Sequence, residues 1–463
     1  MTAADTAVLP VWHVLQGVPR AGTDAVYGPA GGQQFATPRL ELDELVWSRL
    51  EPGPAFDLPA AEIIDLLVAT GKALRDDTFG HLAEARESLT ATAPHNARIF
   101  ERAYADLWQL FDRDRIEFQL DNELGGAAVV DGWVPRRGHD GRTTQVRAFP
   151  PRLVHILAGN APGLGPSSIV RCALTKGVHL FKLPSNDLFT TTAVLRTMAV
   201  LFPGHPVVRS FSAAYWRGGD TAVESILFRP QFFDKLIAWG GEATIRGALQ
   251  YIGPGFELVS FDPKTSISFI GREVFGSDET IAEAADAAAT DATLYNQEAC
   301  VSSRFQYIEG GLADIDRYCE ALAGRLGVER RTASATGVPV PVDVREELEV
   351  LRQMPKLYRL WGNYDGTGLV IRSDEPIDLH PSGKIVNVVP VESLRDAVRY
   401  ADVATQTVGV YPPERKAEVR DALASAGVQR VVPLGGAGQM AVGFPHDGFI
   451  PLHRFMRWVN DEG

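Results

Sequence analysis

Cysteine is scarce in this chain: Cys172, Cys300 and Cys319 are the three among 463 residues, odd in number and far apart. That pattern excludes a disulfide framework and suits thiols in a reducing compartment. No apolar run reaches the ~18 residues of a membrane-crossing helix, so no membrane span is expected. Cationic charge is in deficit, with 45 Lys and Arg against 58 Asp and Glu and a formal charge of -13. Phosphate backbones need a basic face, so nucleic acid is not an expected partner. No His, Cys, Asp and Glu residues recur at metal-ligand spacing, and no metal is expected. The opening Met-Thr-Ala-Ala-Asp-Thr-Ala-Val lacks a basic segment followed by an apolar core, so the expected location is cytoplasmic.

What is present is a globular composition, 45% apolar and 22% charged, in a chain too long for one ordinary core. Residues 1–60 are rich in Pro, Gly and Ala without sustained periodicity, and read as an irregular arm with short strands. From Ala60 to Asp112, Ile63, Ile64, Leu67, Leu74, Leu82 and Leu89 fall near helical spacing. Between 121 and 148, Gly125-Gly126, Asp131-Gly132 and Asp140-Gly141 separate short β-branched runs and predict hairpins. From Arg152 to Gly247 strands (153–157, 178–182, 207–211 and 235–239) alternate with helices, and a second alternating series runs from Ser266 to Val432. Such alternation predicts parallel sheets covered on both faces. The expected fold class is α/β with two doubly wound domains. The first spans 1–258, with an arm, a helical region and an α/β domain, and 432–463 packing back on it; the second spans 259–431 and contains Cys300.

Cys300 lies in a small, polar stretch, Asn296-Gln297-Glu298-Ala299-Cys300-Val301-Ser302-Ser303, between a helix-like and a strand-like segment. A thiolate there would attack an activated carbonyl, although a cysteine is more often a small buried hydrophobe. Cys172 and Cys319, in helical segments, read as core residues. Gly159 to Ser168 lacks the Gly-Lys-Ser/Thr ending of a P-loop. Gly436-Ala437-Gly438-Gln439-Met440-Ala441 matches a dinucleotide fingerprint on paper, but Pro445 comes too soon for the helix it requires. Trp239-Gly240-Gly241-Glu242 follows a strand and opens a helix, where amide N–H groups and the helix dipole favour a pyrophosphate; a tight turn is the plain alternative. Lys182 ends a strand, the position from which open α/β sheets present ligand-binding groups; the alternative is a solvated surface lysine. Asn160 sits at a Gly-Asn turn after another strand. His446, in Pro-His-Asp-Gly, is a candidate proton shuttle or a structural hydrogen-bonding residue.

The run Asn296-Gln297-x-x-Cys300 followed by Ser303-Arg304 resembles the catalytic cysteine segment of the aldehyde dehydrogenase superfamily. Residues 153–186 resemble its strand-Asn-helix-strand-Lys unit, and Gly443-Phe444-Pro445-His446-Asp447-Gly448 with Pro451-Leu452-His453-Arg454 is similar to the bacterial long-chain acyl-CoA reductases, over roughly residues 125–463. The resemblance implies an aldehyde-dehydrogenase-like fold with Cys300 as nucleophile. It implies that Asn160 and the Cys300 N–H hold an oxyanion, a contribution of about 2.7–4 kcal/mol when well placed. Lys182 would contact the cofactor ribose, and Gly240, Gly241 and Glu242 the pyrophosphate, Glu242 departing from the family pattern by its charge. NAD-preferring members often carry Glu where this chain has Ser185; Ser185 and Asn186 can donate to a 2'-phosphate and favour NADPH over NADH. The 121–148 hairpin region implies a homo-oligomer. Ser260 stands where aldehyde-oxidising members carry a general-base Glu, and Gln406-Thr407 where acylating relatives often have His-Thr.

These residues imply NADPH-dependent reduction of an acyl thioester, acyl-CoA or carrier-bound fatty acyl, to the aldehyde through acyl-Cys300. Two alternatives stand beside it: an aldehyde dehydrogenase running toward acid, and an inactive homologue serving as partner of an acyl-activating synthetase. Chain length and donor, whether CoA, carrier protein or adenylate, are left open.

Overall fold

The computed structural model describes residues 8–29, 33–93, 96–379 and 382–462. They form two compact units. The first takes in the described residues up to 93 together with 103–262 and 441–462; the second takes in 96–102 and 263–440.

The first unit is built on a seven-stranded mixed sheet of β1 (His13–Leu15), β2 (Val18–Arg20), β3 (Arg152–Ile156), β4 (Val178–Lys182), β5 (Phe211–Ala214), β6 (Lys235–Trp239) and β7 (Glu257–Phe261). Their spatial order is β7-β6-β3-β4-β5-β1-β2. The five strands from β3 to β7 run parallel. Every residue of β3, β4 and β5 is buried, which is why these strands read as continuous apolar runs instead of alternating ones. Val154, Leu180, Trp216, Phe233 and Leu236 belong to one core cluster, each large side chain contributing about 1.5–3 kcal/mol by leaving water. Helix α1 (Leu164–Leu174) connects β3 to β4, and helix α2 (Glu242–Leu249) connects β6 to β7.

Three expectations are corrected here. The sheet is not wholly parallel, because β1 from the arm pairs antiparallel with β5 and β2 antiparallel with β1. The strand expected over 207–211 is a short helix, Pro206–Arg209, with the strand beginning at Phe211; Pro206 stands in its first turn and His205 Nδ1 caps it by accepting from the Val207 N–H at 3.2 Å. Gly125-Gly126 is not a hairpin turn either. Gly125, at φ 77°, ends the helix Arg113–Leu124, and 128–131 is helical. The hairpin is confined to Val134–Arg137 and Thr143–Phe149, to which Arg457–Glu462 adds a third antiparallel strand.

The second unit holds another seven-stranded mixed sheet: β8 (Thr265–Ile270), β9 (Ser303–Glu309), β10 (Tyr358–Asn363), β11 (Gly368–Ser373), β12 (Ile385–Val391), β13 (Thr405–Tyr411) and β14 (Arg430–Pro433). Their order is β10-β11-β12-β9-β8-β13-β14, with only β10 antiparallel. Helix α3 (Asp278–Ala292) lines up Ala284, Ala285, Ala288 and Ala289, small enough for close packing with Ile315, Tyr318 and Leu322 of helix α4 (Leu312–Leu326). A separate cluster formed by Phe269, Val408 and Val410 of the sheet with Leu394, Val419 and Leu423 makes this unit doubly wound.

Candidate active site

In the first sheet the chain moves outward from β3 through β4 to β5, then returns to add β6 and β7 on the other side of β3. The reversal falls between β3 and β6, and open α/β sheets bind ligands beyond the carboxyl ends of strands at such a reversal. Asn160 lies in the loop after β3, Gly240 and Gly241 in the turn after β6, and Ser185 and Asn186 in the loop after β4, of which Lys182 is the last residue. The fold therefore brings these sequence-selected residues to adjacent strand ends. Gly159 and Asn186 pack so closely that a Cβ on Gly159 would lie 2.2 Å from Asn186 Oδ1, which holds the Asn160 loop against the Ser185 loop.

Lys182 is not a solvated surface lysine. It is 8% exposed, with its ammonium 5.7 Å from the Trp216 ring centre and 5.9 Å from that of Tyr215. Burial pulls its pKa below the ordinary lysine value, opposed by the Glu224 carboxylate. Gly240 has φ 156°, and Gly241 is the N-cap of α2 with open space where a side chain would project. Amides at a side-chain-free helix start accept close approach of an anion. Glu242 is exposed and pairs with Arg246 four residues on, so its carboxylate has a cation on its own helix. Ser185 and Asn186 are exposed.

His446 stands beside the end of β6. Its ring meets the stacked Trp239 and Phe261 rings edge-on at 5.5 and 5.4 Å, and Nε2 lies 3.7 Å from Asp447 Oδ1.

In the second unit Cys300 sits just before the amino end of β9, half-buried among Leu294, Ala299, Val301 and Ala437. The chain reaches it through three consecutive non-glycine residues in left-handed conformation, Tyr295 (φ 49°), Asn296 (φ 54°) and Gln297 (φ 73°). Such a run costs energy and persists only where surroundings over-determine it. They do so here. The Tyr295 N–H donates to Thr332 O at 2.7 Å, Asn296 Oδ1 accepts from the Ser334 N–H at 3.0 Å, and Asn296 Nδ2 donates to Asn96 Oδ1 at 2.8 Å. Gln297 grips the backbone of Ile385 at both ends, donating to its carbonyl at 2.7 Å and accepting from its N–H at 3.1 Å. Arg304 donates to Gln297 O at 2.6 Å. Asn296, Gln297 and Arg304 of the motif thus have a physical task, which is to hold the turn that delivers Cys300. Cys172 and Cys319 are fully buried, and burial pushes both thiols well above the ordinary range.

With this geometry in view, comparison with known proteins is decisive for the family. The acyl-CoA reductase (LuxC) family matches residues 55–458. The chain belongs to that family. A long-chain acyl-protein thioester reductase of Vibrio harveyi is 29% identical over 419 residues, covering 88% of this chain and 83% of its own. Among solved structures, an NAD-dependent benzaldehyde dehydrogenase from Corynebacterium glutamicum superposes with a TM-score of 0.71 at 13% identity, covering 98% of each chain. An NADP-dependent glyceraldehyde-3-phosphate dehydrogenase from Bacillus halodurans C-125, complexed with NADP, gives 0.69 at 13% identity over 97% of this chain and 98% of its own. The fold is therefore aldehyde-dehydrogenase-like, and the chain is an oxidoreductase-family member built on it. Among the described residues no helix is long and apolar enough to cross a membrane.

Within this acyl-CoA reductase framework, sequence reading missed a group around Cys300. Ser266 donates to Cys300 O at 2.9 Å and accepts from the Thr407 N–H at 3.2 Å, at a point where both neighbouring ladders of β8 shift register. Asp291, 1% exposed, accepts from the N–H groups of Gly435 and Ala437 at 2.7 and 2.9 Å. The glycine-rich 436–441 stretch is thereby a turn anchored to α3, without the helix that a dinucleotide fingerprint opens into. Arg430 reaches the same turn. No local signal marks Ser266, Asp291 or Arg430, and Thr407 stands out only as part of the Gln406-Thr407 pair; the four come from four separate elements.

Among the described residues the fold also assembles one set of potential metal ligands that no spacing announced: His155, Cys172 and His179, all fully buried. His155 Nε2 lies 3.4 Å from both His179 Nδ1 and Cys172 Sγ. Thr175 Oγ1 donates to Cys172 O at 2.7 Å and so accepts from His179 Nε2 at 3.1 Å, which fixes the tautomer and leaves Nδ1 as acceptor toward His155. Burial takes both imidazoles down, His179 to about 3, so the rings are neutral. Hydrogen bonding between neutral groups accounts for this cluster.

Proposed function

We propose that the protein reduces an acyl thioester, acyl-CoA or a carrier-bound fatty acyl group, to the aldehyde through a covalent acyl-Cys300 intermediate, with NADPH as reductant. The observation that carries this reading is the contrast among the three thiols: Cys172 and Cys319 are sealed in the core, whereas Cys300 is half-exposed at the end of a strained, fully braced turn. The Cys300 thiolate attacks the thioester carbonyl carbon, the carbon-sulfur bond to Cys300 forms, the bond to the donor sulfur breaks, and the donor leaves as a thiolate that takes its proton from solvent. Asn160 donates its side-chain amide to the developing oxyanion. Hydride addition at the acyl-Cys300 carbonyl carbon and loss of the new carbon-sulfur bond release the aldehyde and return the Cys300 thiolate.

Bound NADPH supplies the hydride for that step. Residues of the first unit fit such a cofactor: Lys182 offers a desolvated ammonium, Gly240 and Gly241 a bare helix start, and exposed Ser185 and Asn186 offer donors for a 2'-phosphate. Ser260 offers no carboxylate to activate water, so hydrolysis of acyl-Cys300 lacks the roughly 10²- to 10⁴-fold that a positioned base supplies.

The test is intact-mass measurement after incubation with long-chain acyl-CoA and no NADPH. An acyl adduct should accumulate on Cys300, survive Cys172→Ala and Cys319→Ala, vanish in Cys300→Ala, and discharge as aldehyde when NADPH is added. Rapid acid release without cofactor would replace this reading with an ordinary aldehyde dehydrogenase. Absence of any adduct, with no aldehyde formed, would point to an inactive homologue.

A further inference from the structure

Arg430 lies at the start of β14, paired in register with Thr407 of β13. Its guanidinium donates to Thr407 Oγ1 at 3.2 Å, to Ala437 O at 3.0 Å and to Gln439 O at 3.2 Å. Ala437 packs in the same cluster as Cys300. Thr407 is tied by its N–H to Ser266, whose hydroxyl donates to Cys300 O. The guanidinium is therefore anchored at two points of the wall that surrounds the nucleophile, with its five donors incompletely used by the loop. Burial lowers the Arg430 pKa, opposed by the charges of Asp291 and of Cys300, and the guanidinium's bond to Ala437 O sets it behind the cluster on which Cys300 packs. The ionisable groups of the surrounding elements are Asp291 of α3, Glu298 and Arg304 on either side of Cys300, Tyr295 in the turn, and Arg430 itself. Burial pushes Asp291 up to about 6, with its charge shared between two backbone donors and Arg430.

We propose that Arg430 is the positioning residue that holds Cys300 as a thiolate, its fixed guanidinium supplying the positive charge that the ionised sulfur requires in a half-buried setting. Ionisation passes the Cys300 proton to solvent, and no other bond changes. A nearby fixed cation favours an anion by roughly one to three pKa units. This inference rests on the reading of Cys300 as nucleophile.

The experiment measures the rate of Cys300 alkylation by iodoacetamide against pH, in the full-length protein, with modification located by mass spectrometry. In Arg430→Gln, which keeps an amide donor for the loop carbonyls, the midpoint of the rate profile should move up by about one to two pH units. Arg430→Lys, which keeps the charge but loses the fork, should retain the original midpoint even if its melting temperature falls. An unmoved midpoint in folded Arg430→Gln overturns the proposal. If the Gln variant does not fold, Arg430→Lys decides: a midpoint raised to the ordinary thiol value of about 8.5 overturns it. Failure of the underlying reading looks different, since Cys300→Ala would then still form aldehyde whatever the alkylation profiles show.

Discussion

Gln297 is the residue whose removal should separate a merely polar motif from one that carries strain. Its side chain is 1% exposed and satisfies both the N–H and the carbonyl of Ile385. Gln297→Leu keeps the approximate volume but leaves both backbone groups of a buried strand residue without these partners. Each orphaned group costs about 1–3 kcal/mol, so a loss of roughly 2–6 kcal/mol is expected, centred near 4. Gln297→Glu, with two acceptors and no donor when ionised, keeps the bond from the Ile385 N–H but sets a carboxylate against the Ile385 carbonyl, and should be no milder at neutral pH. Because the left-handed run 295–297 ends three residues before Cys300, release of the turn should also displace the sulfur. A displacement of 1 Å can cost about 10²-fold in rate. Urea unfolding followed by circular dichroism gives the stability change, and the initial rate of acyl-adduct formation gives the positional one. A Gln297→Leu protein within about 0.5 kcal/mol of the parent, the usual range of surface changes, and with an unchanged acylation rate, would show that the turn does not depend on these bonds.

Cofactor choice offers a second check: Ser185 is exposed in the loop after β4, so NADPH should give the higher kcat/KM, and Ser185→Glu should reverse the preference; better use of NADH by the unmodified protein would refute the assignment. A third concerns pH. Burial pushes Asp187 from 3.8 up to about 6, partly offset by its bonds from the N–H and hydroxyl of Thr190. A carboxyl whose folded pKa is raised binds its proton more tightly when folded, so its contribution falls as pH rises from about 4 to about 6 and is fully lost above that, on the order of 3 kcal/mol in all. Asp187→Asn keeps an oxygen for both Thr190 donors and carries no charge; its stability should therefore gain on the parent across that window, and parallel stability-pH curves for the two proteins would count against it.

Much of the fold could be read from the chain because its physics is local. Residues 153–154, 180–181 and 236–239 are apolar at successive positions since both faces of those strands are covered, and 278–292 repeats small apolar residues at helical spacing because one face meets α4. Misreadings arose where one residue type serves two structures. Gly125 reaches positive φ as a helix end as readily as it would in a hairpin, and Val207-Val208 suit a strand until Pro206 and the His205 cap are taken together as a helix start.

The candidate site divides in the same way. Residues at strand ends, Lys182 and Gly240 among them, are visible from order along the chain, because a parallel sheet places every carboxyl end on one edge. Cys300 is visible because its support is partly contiguous: Asn296, Gln297 and Arg304 brace a turn that they themselves form or flank. Ser266 and Arg430 are not visible, since each joins the site only through the pairing of β8 with β13 and of β13 with β14, and Asp291 joins it only through the turn that follows β14. Strand order is a property of the whole sheet, and no window of sequence contains it. The groups that place the nucleophile are thus local and legible, while those that surround it with charge and hydrogen bonds are long-range, which is why a motif can locate the reactive atom without accounting for its reactivity.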